Sequence, residues 1–491
     1  MNILGLHSMD TSSDADLLRR MYLSDTSLSF LRKIDGIFSA VVFDSERQCL
    51  HLITDRYGLR HLYWTRRRNG VAWASEVKAF LALPEFKPRI DRGSVGEFFS
   101  FGYLLGNRTW LEDVALLPPG STFGFDLRKD EIQIRNYWSW SNITLLPGKT
   151  DTREMIEELG RLFNAAIKRQ CESPEPVGVS LSGGLDSRAI LAAAPDHESG
   201  RPIHAVTMGS RRCDDVRIAA QVARVKGIRH HVVELTAANW LSGRIPGVWY
   251  TDGQSNLLHM HALVSVEEQR AHSRINLNGF LGDAVLGGSY LHDPRWSVTE
   301  KADNRGRRFI NEGTRLTNNF LQNRLPFFSN ALMEYTCSIP EELRDRSKIY
   351  NRMLLSQFPV FFRRIPWQRT GVPITWPRQL ADTARRLSRL QRRMGRIMER
   401  IRPGVEDTYE YTNYAAWIRQ QPARALFERM IVNPCALYPE FIPREEIQLC
   451  WREHMGGLDR SEKICRTITF ELWLQQVFEH RFRDVPPEPG I

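Results

Sequence analysis

The strongest constraint on the fold is a short apolar strand that is followed by a glycine-rich loop and a helix. The strand is predicted over residues 177–181 and the helix over 187–194. Two further strands, at 202–207 and 231–235, are separated from each other by a second helix, which ends at Gly227. Strands that alternate with helices pair in parallel, so the sequence predicts an α/β domain with a parallel sheet.

Composition excludes several classes of protein. The 491 residues are 42% hydrophobic and 25% charged, which excludes a mostly disordered chain. We expect a soluble, cytoplasmic protein, because no apolar run reaches the roughly 18 residues of a membrane span and no leader peptide is recognisable. The seven cysteines are odd in number and never in C-x-x-C spacing, so they indicate neither a disulfide framework nor a zinc site.

The net charge of +10 has its densest basic stretch at residues 385–402. Apolar residues recur there at helical spacing, which predicts an amphipathic basic helix. The stretch has neither interleaved aromatic residues nor a motif that reads DNA or RNA, so we expect a solvated helix face and no nucleic-acid partner. An acidic peptide, a membrane surface or another polyanion remains an alternative partner for this helix.

The residues before the α/β domain are β-rich. Short apolar runs alternate with turn signals over residues 25–130, and helices are predicted at 76–83 and 91–101. A capping sequence then opens an amphipathic helix over residues 150–171. We therefore predict two domains, at residues 1–140 and 150–480, the second with an α/β core at 150–290 and a mostly helical part at 291–480.

The loop between the first strand and its helix carries the chemistry. It consists of Ser182, Gly183, Gly184, Leu185, Asp186 and Ser187. The glycines let the backbone approach an anion, the serines offer hydroxyl donors, and the helix N-terminus adds free N–H groups. The loop lacks the lysine of the Walker pattern, whereas Asp186 is suited to holding Mg²⁺ beside phosphate oxygens.

This loop resembles the ATP-pyrophosphatase domain of the asparagine synthetases, whose pyrophosphate loop reads S-G-G-x-D-S. A second segment, at 278–288, is similar to the family's S-G-E-G-x-D-E-x-F-G-G. The resemblance implies an adenine-nucleotide α-hydrolase-like sheet that binds ATP and Mg²⁺, with Asp283 as the second metal ligand and catalytic partner of Asp186. It also implies that ATP is contacted by Leu181, Thr207, Met208, Asn278 and Gly279.

A third segment, residues 214–233, resembles the family's D-x-x-x-A-x-x-V-A-x-x-x-G-x-x-H-H-x-V. The histidine pair in it is His230 and His231. Because the pair lies where a helix returns into a strand, a structural role is favoured over a ligand role.

Segments at 35–44, 55–63 and 74–79 resemble the later part of the family's glutaminase domain, which implies an Ntn-type αββα-like fold. The family's nucleophile is a cysteine directly after the initiator methionine, but this chain has Asn2 there and its first cysteine is Cys49. We expect a truncated domain without glutaminase activity. Its sheet edges would need a covering partner, and a glutaminase could act in trans.

The resemblance implies a carbon–nitrogen ligase of the asparagine synthase type that forms AMP and pyrophosphate. A small-molecule or peptide carboxylate would attack ATP, and the resulting acyl-adenylate would react with ammonia or an amine. We expect Lys463 to neutralise charge on the adenylate. Arg188 either adds a second cation at the loop or lies on a helix surface.

Departures from the family pattern keep other functions open. Phe280 stands where the family has a glutamate on the acceptor side, and Ala284 replaces an acid after Asp283. One alternative is an intramolecular amide-forming cyclase of the β-lactam synthetase or lasso-peptide cyclase type, or a ligase for another amine. The other is an ATP-binding accessory protein without turnover.

Overall fold

The computed structural model describes residues 2–3, 13–148, 150–195, 202–292, 297–387, 390 and 410–483. The predicted basic helix at 385–402 lies mostly outside these residues. Contacts divide the chain into two units. The first is Met1–Thr144, Arg295–Glu312 and Phe328–Asn330, and the second is Leu145–Pro294, Gly313–Phe327 and Ala331–Ile491. Within the described ranges, no helix combines the length and the apolar character that crossing a membrane requires.

The first unit is built on antiparallel sheets. Its strands are β1 (Asn2–Ile3), β2 (Ile34–Asp35), β3 (Ser39–Asp44), β4 (Cys49–Thr54), β5 (Tyr63–Arg67), β6 (Gly70–Ala74), β7 (Ala115–Leu116), β8 (Ser121–Asp126) and β9 (Glu131–Asn136). They pair in the orders β1-β2, β3-β4-β8-β9 and β6-β5-β7. Along β8, Phe123 and Phe125 are buried while Thr122 and Gly124 are partly exposed, so alternate residues face the core. The predicted β-rich domain is confirmed.

Two α-helices accompany these sheets, α1 (Asp14–Ser24) and α2 (Arg92–Phe101). The start of α2 is capped by the Asp91 carboxylate, which accepts the Gly93 N–H. Its end is set by Gly102, whose φ of 86° lies in the left-handed region. The helix predicted at 76–83 is a 3₁₀ helix over Val77–Ala82.

The second unit contains the predicted parallel sheet. Its strands are β10 (Val177–Ser180), β11 (His204–Gly209), β12 (His230–Glu234), β13 (Ile275–Leu277) and β14 (Gln322–Arg324). Neighbouring strands in the order β12-β11-β10-β13-β14 are all parallel. The central strands β10 and β13 are buried, as expected for a sheet with both faces covered.

The helices after α2 are α3 (Thr152–Cys171), α4 (Asp186–Ala193), α5 (Asp214–Lys226), α6 (Arg244–Tyr250), α7 (Val266–His272), α8 (Gly282–Val285), α9 (Val298–Lys301), α10 (Asn311–Thr317), α11 (Asn330–Ser338), α12 (Glu341–Arg344), α13 (Lys348–Gln357), α14 (Pro359–Phe362), α15 (Tyr414–Trp417), α16 (Ala423–Val432), α17 (Arg444–Met455) and α18 (Ser461–Phe478). Of these, α9 and the π-helix Ala302–Ile310 after it belong to the first unit. The described residues beyond 290 are mostly helical, as predicted.

Local sequence explains the helices that frame the sheet. Helix α3 begins where the Asp151 carboxylate accepts the Arg153 N–H, and it buries Met155, Leu159 and Phe163 at four-residue spacing. Helix α5 ends at Gly227, as predicted, because the φ of 73° there favours glycine. Helix α3 leads into β10, and α5 connects the parallel strands β11 and β12. Because all the strands of this sheet are parallel, their carboxyl ends lie at the same edge.

Candidate active site

The two predicted motifs meet where the strand order reverses. β11 and β12 lie on one side of β10, whereas β13 and β14 lie on the other. The loop after β10 and the segment after β13 therefore leave adjacent carboxyl ends, at the switch point where α/β sheets bind ligands. Their juxtaposition is visible at Asp186 and Asp283, since the Asp283 N–H donates to Asp186 Oδ2 at 2.7 Å.

The glycine-rich loop is held by its own polar groups. The Ser182 N–H donates to Ser187 Oγ at 3.0 Å, and the two serine hydroxyls are 3.0 Å apart. The Gly184 N–H donates to Ser182 Oγ at 3.2 Å. The Gly183 N–H donates to Asp215 Oδ1 at 2.9 Å, which gives a role to an acid of α5 that the sequence did not single out. The loop is thus preformed, with hydroxyl and N–H groups clustered at the helix N-terminus.

The carboxylate of Asp186 lies in a poorly solvated position. It accepts the Tyr350 hydroxyl at 3.0 Å in addition to the Asp283 N–H. Burial, and then the nearby charge of Asp283, raises the pKa of Asp186 to about 7. Gly282 makes this approach possible, because a Cβ atom at that position would lie 2.5 Å from Asp186 Cγ.

The donor set fits Mg²⁺. Asp186 and Asp283 supply hard carboxylate oxygens, and the side chain of Asp283 is 38% exposed. Burial raises the pKa of Asp186, and a divalent cation held by these carboxylates would offset the cost of the buried negative charge.

Arg369 is a cation at this site that the sequence analysis missed. Its Nη1 lies 3.7 Å from Asp283 Oδ2, its side chain is 45% exposed, and its guanidinium lies 5.6 Å from the Trp367 ring centroid. The sequence assigned Arg369 no role at the site, because the residue is far from Asp283 along the chain and lies outside any helix or strand.

Arg188 has neither of its predicted roles. It is 1% exposed, and its guanidinium donates to the carbonyls of Gly183, Ile365 and Pro366 at 3.1, 3.2 and 2.7 Å. The Gln368 N–H also donates to the Gly183 carbonyl, at 3.2 Å. Arg188 therefore ties the loop to the segment that carries Arg369, and it is unavailable to a ligand because its charge is buried.

The residues predicted to contact the nucleoside lie at the same edge of the sheet. The Leu181 N–H donates to the Val206 carbonyl, and the Thr207 hydroxyl donates to the Leu181 carbonyl at 2.8 Å. Nε2 of His230 is 2.8 Å from the Thr207 hydroxyl, which agrees with a structural role for this histidine. Met208 receives the Ser265 hydroxyl at its sulfur, 3.8 Å away. Their contacts with ATP stay a prediction.

The segment after β13 departs from the family pattern at positions that the structure places near the carboxylates. Phe280 and Ala284 are both buried, 5% and 6% exposed, so neither offers a polar group to a substrate. Leu281 occupies a position where the family pattern has glycine, and its φ of 58° is in the left-handed region. A bulky residue held there indicates local strain next to the carboxylates.

Lys463 is placed on α18. Its ammonium pairs with Glu446 of α17, and its side chain is 37% exposed. The structure thus assigns it an ion pair between two helices, and its catalytic role stays a prediction. At the site itself, the cation that approaches a predicted metal ligand is Arg369.

A cavity of about 300 Å³ opens at the carboxyl ends of β11 and β12. Arg211, Arg212 and Glu234 line it, together with Trp417 of α15. The lining thus combines two positively charged side chains with one negatively charged side chain.

Comparisons with known proteins match both parts of the chain. A family described as "Glutamine amidotransferase domain" matches residues 4–138, and one described as "Asparagine synthase" matches residues 158–320. Asparagine synthetase [glutamine-hydrolyzing] 3 of Bacillus subtilis (strain 168) is 31% identical over 40% of this chain and 32% of its own length. Asparagine synthetase [glutamine-hydrolyzing] of Mus musculus is 23% identical over 68% of this chain and 61% of its own.

A third relative, amidase chyE of Penicillium rubens, is 25% identical over 49% of this chain and 37% of its own length. The chain thus spans from about a third to three fifths of the length of these relatives. Both halves of the resemblance are nevertheless matched, one by each family, and the matched parts contain the two carboxylates and the loop. The chain belongs to the asparagine synthetase family.

Proposed function

We propose that the second unit is an ATP-dependent ligase that activates a carboxylate as an acyl-adenylate, releases pyrophosphate and forms an amide with ammonia or an amine. The observation that carries the proposal is the meeting of Asp186 and Asp283 beside a serine- and glycine-rich loop at the switch point. An acid pair next to an anion-binding loop is suited to triphosphate chemistry.

The position of each residue determines its proposed role. The serine hydroxyls and N–H groups of the loop orient the triphosphate, and the proximity of the reactants accounts for much of the acceleration. Asp186 and Asp283 would hold Mg²⁺, which supplies positive charge to the departing pyrophosphate. Arg369 adds a cation at the exposed side of Asp283, so charge that develops on the pyrophosphate meets a donor already in place.

Free ammonia or an amine is the proposed nitrogen source, and glutamine hydrolysed by this chain is not. Cys49 is the one cysteine in residues 1–140, and it lies within β4. Burial, together with the charges of Asp126 and Asp44, raises the pKa of the Cys49 thiol above its usual value. Its thiolate is disfavoured, whereas a nucleophilic cysteine needs a lowered pKa.

Pyrophosphate release from Mg-ATP tests the proposal. Release is measured with aspartate and ammonium together, with each alone, and with glutamine in place of ammonium. We expect release that requires a carboxylate, that ammonium supports and glutamine does not, and that Asp283→Ala abolishes. If the chain binds ATP but no small or peptide carboxylate elicits pyrophosphate release, the ligase proposal is contradicted. The alternative of an ATP-binding accessory protein without turnover would then be supported.

A second candidate is favoured by Phe280 and Ala284. Both positions are acidic in the family, whereas here they hold buried apolar side chains. These side chains cannot make the polar contacts that would hold a small acceptor substrate. This favours an amine other than ammonia, including one within the same substrate molecule as the carboxylate. The mass of the product distinguishes the two: incorporation of ¹⁵N-ammonium supports the first candidate, whereas loss of one water without added nitrogen supports the second.

Arg369→Ala is expected to lower kcat/KM for pyrophosphate release by about 10- to 100-fold, because one charged donor to the leaving group is lost. Arg369→Lys should restore part of the rate, since it keeps the charge. Arg364→Ala, which removes an exposed arginine from the same segment, is the matched control. Equal rates of pyrophosphate release for the two alanine variants would show that Arg369 takes no part in the reaction.

A further inference from the structure

Three imidazoles and one carboxylate gather on one face of the parallel sheet, apart from the active site. His204 is the first residue of β11 and His231 the second residue of β12. Because His231 pairs with Val206 in the sheet register, it points to the same face as His204. His272, the last residue of α7, and Glu268 of the same helix complete the cluster.

The three imidazoles are close enough for a common ligand, and the rings of His231 and His272, which stack with centroids 3.8 Å apart, would turn to share it. One nitrogen from each ring lies within 4.8 Å of the other two. Nδ1 of His204 is 3.5 Å from Nε2 of His231, which is long for a hydrogen bond. Two nitrogens bound at about 2.1 Å to a tetrahedral zinc ion lie about 3.4 Å apart, so this pair already has the separation that the ion requires.

Glu268 orients the rings. Its Oε1 atom is 3.0 Å from Nδ1 of His231 and 3.0 Å from Nε2 of His272. A carboxylate that accepts the Nδ1–H of His231 leaves the lone pair on Nε2, the nitrogen that faces His204. Metal-binding histidines commonly have such a carboxylate partner, which fixes the tautomer and raises the basicity of the ligand.

The cluster is accessible and far from the proposed Mg²⁺ ligands along the strands. The side chains of His231 and His272 are 21% and 28% exposed. Both sheet histidines lie in the amino-terminal half of their strands, whereas Asp186 follows the carboxyl end of β10. Imidazole ligands favour zinc and its neighbours over magnesium, so the two sites differ in the cation that they select.

We propose that His204, His231 and His272 bind one Zn²⁺-class ion, with Glu268 as the carboxylate that orients them. The ion would join β11, β12 and α7, and so would stabilise the sheet without entering the ligase chemistry. The inference goes beyond the proposed function and does not rest on it, because no group of the active site takes part.

Zinc binding to the chelator-treated full chain tests the site. Titration with ZnCl₂, by calorimetry in excess Mg²⁺, should give one bound ion per chain, and Co²⁺ should give the visible bands of a tetrahedral nitrogen site. His231→Ala and His272→Ala should each weaken binding by at least about 100-fold. His259→Ala, which removes a histidine near a different carboxylate, should bind zinc like the unmodified chain.

Two results would overturn the proposal. One is no zinc binding at about 100 μM, a concentration far above that needed by structural zinc sites. The other is unchanged binding in both His231→Ala and His272→Ala. His272 lies near the exposed end of a helix, so its replacement keeps the test valid if the strand variant fails to fold. Retention of binding in Asp186→Asn would separate this site from the active site.

Discussion

Asp186→Asn is expected to lower pyrophosphate release by about 10³-fold or more, because it removes one of two charged oxygen ligands for Mg²⁺ at the reacting triphosphate. The replacement keeps the size of the side chain. Its amide oxygen can still accept the Asp283 N–H, and its amide nitrogen can donate to the Tyr350 hydroxyl. The loss should therefore report the missing charge, and pyrophosphate release in saturating Mg-ATP measures it.

The same variant should be more stable than the unmodified chain in the absence of Mg²⁺. In the folded chain the pKa of Asp186 is about 7, above its ordinary value near 4, because of burial and of the charge on Asp283. The stability of the unmodified chain therefore falls as the pH rises between these two values, whereas the amide of the Asp186→Asn variant does not titrate there. We expect a gain of roughly 4 kcal/mol at pH 8 and almost none at pH 4, measured by urea unfolding.

Asp252→Asn provides the matched control for stability. Asp252 is fully buried, and its Oδ2 lies 3.5 Å from Nη2 of Arg315, so this carboxylate has a compensating charge. Its replacement should destabilise the chain, the opposite sign to that expected at Asp186. If Asp186→Asn is also destabilising at pH 8 in metal-free buffer, the uncompensated charge that we assign to the site is absent.

Arg188→Ala is expected to lower the free energy of unfolding by about 3 kcal/mol, the largest loss of stability that we predict for a single residue. The change leaves the carbonyls of Ile365 and Pro366 without the guanidinium donor, and the Gly183 carbonyl keeps only the Gln368 N–H. It also removes the contact of the guanidinium with the Phe362 ring, 5.4 Å from the centroid. Urea unfolding followed by fluorescence gives the free energy.

The loss of the Arg188 hydrogen bonds should also affect the active site. Freed from Arg188, the segment that contains Gln368 and Arg369 should exchange its amide hydrogens faster, and KM for ATP should rise. Arg217→Ala, which removes an exposed arginine paired with Asp214 on α5, is the control and should cost under about 0.5 kcal/mol. Similar losses for the two variants would show that the buried guanidinium does not hold the segment.

Much of the fold followed from local patterns. The strands at β10, β11 and β12 and the helix α5 lie within about two residues of their predicted positions, since apolar periodicity and a terminal glycine are properties of neighbouring residues. The order of the strands within the sheet could not be predicted from the sequence and is known only from the structure. Nothing in the segment at 275–277 shows that it pairs with β10 on the side opposite to β11.

The candidate site was likewise predicted from the sequence only in part. Asp186 and Asp283 were predicted from motifs and are adjacent in the structure. Asp215 was within a recognised segment, yet its bond to the Gly183 N–H depends on how α5 packs beside the loop. Arg188 was assigned to a surface or to a ligand, because a sequence pattern does not reveal that a charged side chain next to a loop is surrounded by backbone carbonyls.

The amino-acid sequence alone predicted the α/β class and the loop that carries Asp186, because both depend on residue types at short spacing, and the resemblance to a known family implied Asp283. Tertiary structure decided which distant groups meet them. Arg369 beside Asp283 and the histidines beside Glu268 come from segments far apart in the chain or on different elements. Such pairs are set by strand order and helix packing, which bury apolar surface over the whole unit and have no counterpart in any local pattern.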